Sequence, residues 1–164
     1  MTQRGECRVG HGFDAHRLVE GRRLVLGGIT VPHDRGALGH SDADVLAHAL
    51  SDALLGAAAL GDLGGHFPDS DPKWKDADSI VLLEACAARV RAAGYSIVNL
   101  DATIVLERPK LAPYIGAMRE HLATRLNLPL ERVSVKAKTS EGMGYTGDGT
   151  GIAAFAVASL ERGT

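Results

Sequence analysis

The sequence predicts an α+β (α/β) fold with a mixed β-sheet covered by helices on one face. Three observations lead there. The order of patterned segments is strands, helix, helix, strand, helix, strand, strand, which stacks helices on a sheet. The last segment, Ile152–Leu160, is apolar on both faces: Ile152, Ala154, Ala156, Ala158 and Leu160 lie on one, Ala153, Phe155 and Val157 on the other. A strand apolar on both sides is covered on both sides. Helices supply one cover; for the other, the rest of the domain and a second subunit are equally good readings. Finally, 164 residues with 45% apolar and 23% charged side chains suit a single folded unit over residues 1–164.

Each element has a local reason. Residues 8–16 read as a strand. Arg23–Leu26 and Ile29–Pro32 flank Gly27-Gly28, a hairpin signal. Ser41 followed by Asp44 resembles a capping box with a shortened acid, so a helix is expected after Ser41 and on to about Leu55. Residues 61–76 (GDLGGHFPDSDPKWKD) hold Gly, Pro and Asp at a density that predicts a mobile loop without regular structure. A helix follows from Asp78 to Ala93, closed by Gly94. Then come a strand over 96–106, a helix over 114–126 after Pro113, and strands over Val133–Lys138 and Ile152–Leu160.

Composition removes several function classes. Eighteen basic against twenty acidic residues give no broad positive field for nucleic acid or an anionic membrane. No apolar run approaches the ~20 residues that span a bilayer. The opening MTQRGECRVG has no apolar signal segment, and Cys7 and Cys86 make no disulfide framework, so a cytoplasmic protein is expected.

The chemistry concentrates in two places. Asp14 and His16 stand two apart on a strand and point to one side. His40-Ser41-Asp42-Ala43-Asp44 precedes a helix that carries His48 two turns in. One carboxylate and two imidazoles suit zinc with its fourth position open to a substrate, as at a catalytic site. A D-x-H pair also arises by chance among seven histidines, and spacing alone leaves both readings standing. Near the C-terminus, Gly142, Gly144 and Gly147 fit G-x-G-x-x-G, but a strand follows instead of a helix, which excludes a dinucleotide fold. The remaining reading is a flexible loop whose N–H groups suit phosphate. Lys136, Lys138, Thr139, Ser140 and Glu141 lead into it, and hard oxygen donors of this kind suit Mg²⁺ held with substrate phosphates. The other histidines, His11, His33, His66 and His121, read as structural or surface residues.

Five blocks in order, R-V-G-H-G-F-D-A-H, H-S-D-A-D-V-L-A-H, A-L-G-D-L-G with F-P-D-S-D-P, R-P-K-L-A-P and K-A-K-T-S-E-G-M-G-Y-T-G, resemble the 2-C-methyl-D-erythritol 2,4-cyclodiphosphate synthase family from Arg8 to about Arg162. The resemblance implies a homotrimer with active sites at subunit interfaces and the sheets facing a central cavity. It implies release of CMP from a cytidine diphosphate ester as the substrate's own 2-phosphate attacks the β-phosphorus. Asp14, His16 and His48 would hold Zn²⁺, and Glu141 a Mg²⁺ or Mn²⁺ that arrives with substrate. His40 and Thr139 match positions that support the transition state. Asp14, Ala15, His16, His40 and Ser41 would contact substrate, Ser41 serving equally well as a helix cap. Asp62, Leu63 and Gly64 match the ribose and erythritol stretch, and Phe67, Pro68, Asp69, Ser70 and Asp71 the covering loop. Leu106, Glu107, Arg108, Pro109, Lys110, Leu111 and Ala112 match the cytosine pocket, and Lys138, Thr139, Ser140, Glu141, Tyr145 and Asp148 would be further substrate-binding positions.

Three positions depart from the family pattern: Lys138 stands for Thr, Tyr145 for Phe and Asp148 for Arg. The Arg lines the cavity in other members and helps bind isoprenoid diphosphates, so Asp148 predicts a protein without that binding. The rivals are a metal-dependent phosphoester hydrolase giving linear products and a non-catalytic cytidine nucleotide-binding trimer. Length leaves no room for the fused cytidylyltransferase found in some relatives.

Overall fold

The computed structural model describes residues 6–162. In chain order the elements are β1 (Cys7–Glu20), β2 (Leu24–Leu26), β3 (Ile29–Val31), β4 (Arg35–Ala37), α1 (Val45–Ala57), α2 (Leu63–His66), α3 (Ser79–Ala92), β5 (Tyr95–Val105), α4 (Ile115–Leu126), β6 (Val133–Lys138), α5 (Gly144–Gly147) and β7 (Gly151–Arg162), with 3₁₀ turns at Pro72–Trp74, Ala112–Tyr114 and Leu130–Arg132. Five strands form one sheet in the order β4-β1-β7-β5-β6. Only β5 and β6 run parallel, joined through α4, and the other pairs are antiparallel. This is the mixed sheet the element order predicts.

One face of the sheet is packed. Ile152, Ala154, Ala156, Ala158 and Leu160 of β7 are fully buried, as are Ala49, Leu50, Ala53 and Leu54 of α1. The approach of α1 to β1 depends on two glycines. A Cβ on Gly12 would lie 1.8 Å from the Ala49 carbonyl oxygen, and one on Gly10 2.0 Å from that of Ala53. Ala49, Ala53 and Ala57 recur every fourth residue, so a smooth stripe of the helix lies on the bare backbone of the strand. The other face of the sheet is open in the single chain. Val9 is 67% exposed, Phe13 46%, Phe155 42% and Val157 40%. Phe13 and Phe155 are cross-strand partners with ring centroids 5.0 Å apart.

The hairpin signal holds. Gly27 and Gly28 adopt φ +58° and +76°, the pair of positive angles a tight turn between β2 and β3 demands. This turn is tied to α1 by Asp44, fully buried, whose carboxylate accepts from the N–H groups of Gly27 (2.9 Å), Gly28 (2.7 Å) and Ala47 (3.0 Å). Burial pushes its carboxyl up to about 6, against the pull of those donors toward the anion.

Four expectations need correction. α1 begins at Val45 with Asp44 as its cap, not after Ser41, because Ala43 takes a left-handed φ of +56° that breaks a helix there. Ser41 instead accepts from the Ala43 N–H at 3.1 Å, and His48 falls in the first turn of α1. Residues 61–76 contain α2, capped by Asp62, and a 3₁₀ turn capped by Asp71, since their acids serve as N-caps. The glycine-rich loop likewise contains the one-turn helix α5. His66 and His121, expected at the surface, are half-buried and donate to the carbonyls of Leu60 (2.7 Å) and Gly27 (2.9 Å).

Candidate metal centre and substrate site

β1 runs alongside α1 with one face turned to it. Gly10 and Gly12 occupy that face where the helix crosses closely, and Asp14 and His16 occupy it where the strand passes the helix N-terminus. His48, in the first turn of α1, meets them there. The His16 Nε2 lies 2.8 Å and the His48 Nδ1 2.9 Å from Asp14 Oδ2, and the two nitrogens are 3.4 Å apart. Donors bound at about 2.0–2.1 Å around a tetrahedral ion stand roughly 3.3 Å from one another, so these three atoms fit the corners of a zinc site. Among the described residues this is the group of at least three metal-ligating side chains that converges.

The three side chains set one another's charge. Burial pushes the Asp14 carboxyl up, but hydrogen bonds and charge from His16 and His48 outweigh it and hold it at about 2. Burial pulls His48 down, and the Asp14 hydrogen bond with the charges of Asp14, Asp44 and Asp42 raises it above the ordinary imidazole value. His16 Nδ1 donates to the Leu38 carbonyl at 3.0 Å, which turns Nε2 toward Asp14 and makes it the nitrogen that would ligate a cation on giving up its proton. His48 Nε2 points the other way, 2.8 Å from Ser79 Oγ and 3.2 Å from Ser41 Oγ.

A pocket of about 370 Å³ opens over the triad, lined also by His40, Ser41, Asp52, Leu63, Gly64, Phe67 and Asp69. Its wall is more ordered than the sequence suggests. Phe67 is buried with Leu55, Leu82 and Cys86, stands edge-on to Trp74 (4.9 Å) and lies under the Arg89 guanidinium (4.7 Å). Asp52 accepts from the Leu63 N–H at 2.7 Å and so fixes the start of α2, while burial pushes its carboxyl up. His40 Nε2 donates to the Asp71 carbonyl at 3.4 Å. Pro68, Asp69 and Ser70 are exposed beside this wall.

The remaining candidates cluster elsewhere. Leu106, Pro109, Lys110, Leu111 and Ala112 line a second pocket of about 330 Å³ together with Lys138 and Thr139. Glu107 and Arg108 do not line it, and Glu107 Oε2 is buried without a hydrogen-bond partner. Thr139 Oγ1 donates to Glu141 Oε1 (2.8 Å), Glu141 itself being exposed at a left-handed φ of +54°. Ser140 bonds Thr146 (2.6 Å). Ala15 and Tyr145 border a third hollow beside His16, and Asp148 accepts from the Thr150 N–H and hydroxyl.

The first two pockets share no lining residue. Both sit at one end of the sheet, because Asp14, Ala154, Ile104 and Ala137 form a row of paired residues. Three strand spacings separate the ends of that row, roughly 14 Å. A single chain therefore holds the triad and the Lys138–Glu141 stretch apart. Sequence reasoning missed Asp52, the Leu38 carbonyl and Ser79. Asp42 stood in the H-S-D-A-D block without a role, and nothing in A-D-S at 77–79 distinguishes Ser79 from an ordinary first residue of a helix.

The comparisons agree with this geometry. The 2-C-methyl-D-erythritol 2,4-cyclodiphosphate synthase of Burkholderia cenocepacia (strain HI2424) is 61% identical over 157 residues, 96% of this chain and 98% of that protein. The synthase of the same name from Salinibacter ruber is 60% identical over 154 residues, covering 94% of this chain. A solved synthase structure, 42% identical and described as a CDP-bound form, superimposes with a TM-score of 0.86 over 93% of this chain and 99% of that one. The bifunctional IspDF from Campylobacter jejuni matches with a TM-score of 0.94 at 40% identity, and this chain spans 43% of it. The model of the YgbB family matches residues 7–161, and with the triad, the pockets and the sheet all in place, the chain belongs to the YgbB family.

Proposed function

We propose that this protein converts 4-diphosphocytidyl-2-C-methyl-D-erythritol 2-phosphate to 2-C-methyl-D-erythritol 2,4-cyclodiphosphate and CMP, a step in making isoprenoid precursors. The observation that carries the reading is the convergence of Asp14 Oδ2, His16 Nε2 and His48 Nδ1 at the floor of a pocket. The donor set fits Zn²⁺, which when bound polarises a phosphoryl oxygen and neutralises charge. Glu141, exposed and acceptor-only, suits Mg²⁺ or Mn²⁺ carried by the diphosphate.

The substrate supplies its own nucleophile. A 2-phosphate oxygen bonds to the β-phosphorus, the bond from that phosphorus to the bridging oxygen breaks, and CMP leaves with the electron pair. The chain's task is positioning and charge complement. His40 and Ser41 border the triad where the phosphates meet, and hydrogen bonds from such groups gain strength as charge develops on the phosphoryl oxygens. Phe67 and Trp74 wall off the methylerythritol side from water. Backbone groups of Leu106–Ala112 suit the cytosine edge, with Lys138 and Thr139 beside the phosphates.

Phosphorus NMR of the purified protein with Zn²⁺, Mg²⁺ and this substrate tests the reading. CMP and a cyclic diphosphate in equal amounts, both abolished by chelator, are expected. Linear phosphates would instead establish the hydrolase, and unchanged substrate the binding protein.

The separation of the two pockets supports sites shared between subunits of a homotrimer, as does the open face carrying Phe13, Phe155 and Val157. Variants damaged in different halves are then expected to complement. Unfolding and refolding His48→Ala with an equal amount of Glu141→Ala should restore roughly a quarter of native activity, since about that share of all interfaces in randomly mixed trimers draws an intact residue from each side. Two inactive variants that stay inactive when mixed would place each site within one chain.

The Thr150 hydrogen bonds hold the Asp148 carboxyl below the usual carboxylate range, so it is charged at neutral pH. An isoprenoid diphosphate is therefore expected to bind weakly or not at all, and more tightly to Asp148→Ala, as read by calorimetry. Tight binding to the native protein that disappears in Asp148→Ala would reverse this conclusion.

A further inference from the structure

We propose that Ser79 and Asp42 act as a positioning pair that fixes which nitrogen of His48 faces the metal. The inference rests on the metal site proposed above and adds two residues outside its ligand set.

Counting protons gives the argument. The Asp42 carboxylate only accepts. Its Oδ1 accepts from the Asp44 N–H (3.1 Å) and, at very close range, from the Ser79 hydroxyl, while Oδ2 accepts from the Ser79 N–H (3.2 Å). Ser79 has one hydroxyl proton, and it is committed to Asp42. Toward any other neighbour its oxygen acts as an acceptor. His48 Nε2 stands 2.8 Å from that oxygen and so donates to it. With the Nε2 proton held by Ser79, Nδ1 is the nitrogen that gives up its proton to ligate a metal, and it faces Asp14 Oδ2 and His16 Nε2.

Ser41 does not reverse this. Its oxygen accepts from the Ala43 N–H and lies 3.4 Å from Ser79 Oγ, so its proton has the same acceptor available. Ser79 is fully buried and Ser41 nearly so, and bulk water does not compete for either hydroxyl. The two histidine ligands are thus held by different devices. A main-chain carbonyl orients His16, whereas a hydroxyl bridging to a carboxylate orients His48. The second device joins the segment before α1 to the first residue of α3, so the start of α3 is part of the metal site's support.

Ser79→Ala removes the hydroxyl and leaves the Ser79 N–H bond to Asp42 in place, which separates orientation of His48 from capping of α3. Two measurements on the variant and native proteins decide the matter. In chelator competition, Ser79→Ala is expected to hold Zn²⁺ roughly 10–100-fold more weakly, the usual cost of losing a partner that orients a metal-bound histidine. In nitrogen-15 NMR of the zinc-loaded native protein, His48 is expected to show a proton on Nε2 protected from exchange, with that protection lost in Ser79→Ala. Asp42→Asn, in which an amide stands in for the carboxylate, is expected to weaken zinc binding in the same direction, and it carries the test if Ser79→Ala fails to fold. Zinc affinity unchanged within about twofold in both variants, or an unprotonated Nε2 in the native protein, overturns the proposal. Native protein that binds no zinc overturns the metal site itself, an outcome distinct from native binding that ignores Ser79.

Discussion

His48→Ala is expected to give a folded protein without bound zinc, with turnover reduced by roughly 10³-fold or more, the equivalent of several kcal/mol of lost charge stabilisation. The loss is this large because Asp14 and His16 come from one strand and the third donor comes from another element. Two ligands on one backbone do not close three corners of a tetrahedron. The fold survives because His48 packs among polar side chains of a pocket wall and outside the two apolar clusters. Elemental analysis of zinc per chain, read beside kcat, checks the expectation. A variant with one zinc per chain and native turnover would remove His48 from the site.

Gly12→Ala is expected to destabilise the protein by at least ~3 kcal/mol, the upper range for overpacking a tight interior. The added Cβ would stand 1.8 Å from the Ala49 carbonyl oxygen and 2.8 Å from the Ala53 nitrogen, both main-chain atoms of α1 that no rotamer change can move. The helix must retreat from β1, and His48 retreats with it, so zinc affinity falls together with stability. Gly56→Ala, on the same helix, is the contrasting case. Its Cβ would meet nothing nearer than the His11 carbonyl oxygen at 3.9 Å, and the gain in helix propensity should stabilise by ~0.5–1 kcal/mol. Thermal unfolding of the two variants should therefore move in opposite directions. Equal midpoints would show that the strand and helix do not touch as described.

Periodicity carried the long elements and local chemistry the short ones. α3, β5, β6 and β7 were legible because apolar period and end signals agreed: Asp78 caps α3 and Gly94 follows it at φ +89°. The Asp14–His16 half of the triad followed from strand geometry alone. The start of α1 was misread because Ser41 and Asp44 both look like caps, and only the left-handed Ala43 between them decides for Asp44. α2 and α5 were invisible because one-turn helices have no period to detect. Glu141, by contrast, was placed beside Thr139 through family resemblance, and nothing in its spacing from His48 announces that one chain holds them apart. Ser79 was beyond reach because its partners, His48 and Asp42, are more than thirty residues away, and only packing brings α3 to them.

The strand at the middle of the sheet is also the last to be made. β7 lies between β1 and β5, and its pairing with β1 joins Cys7 to Glu161. During synthesis, β1 and β5 have left the ribosome before the segment that separates them exists. Each then carries an unpaired edge and an apolar face with no native neighbour, the condition in which strands of different chains find one another. Closure of the sheet waits for residues 151–162 and depends on contacts between distant parts of the chain, which makes folding slow for a domain of this size. The fraction of chains that reach the native state is consequently set in the interval after the final strand emerges, and it falls as the concentration of newly made chains rises.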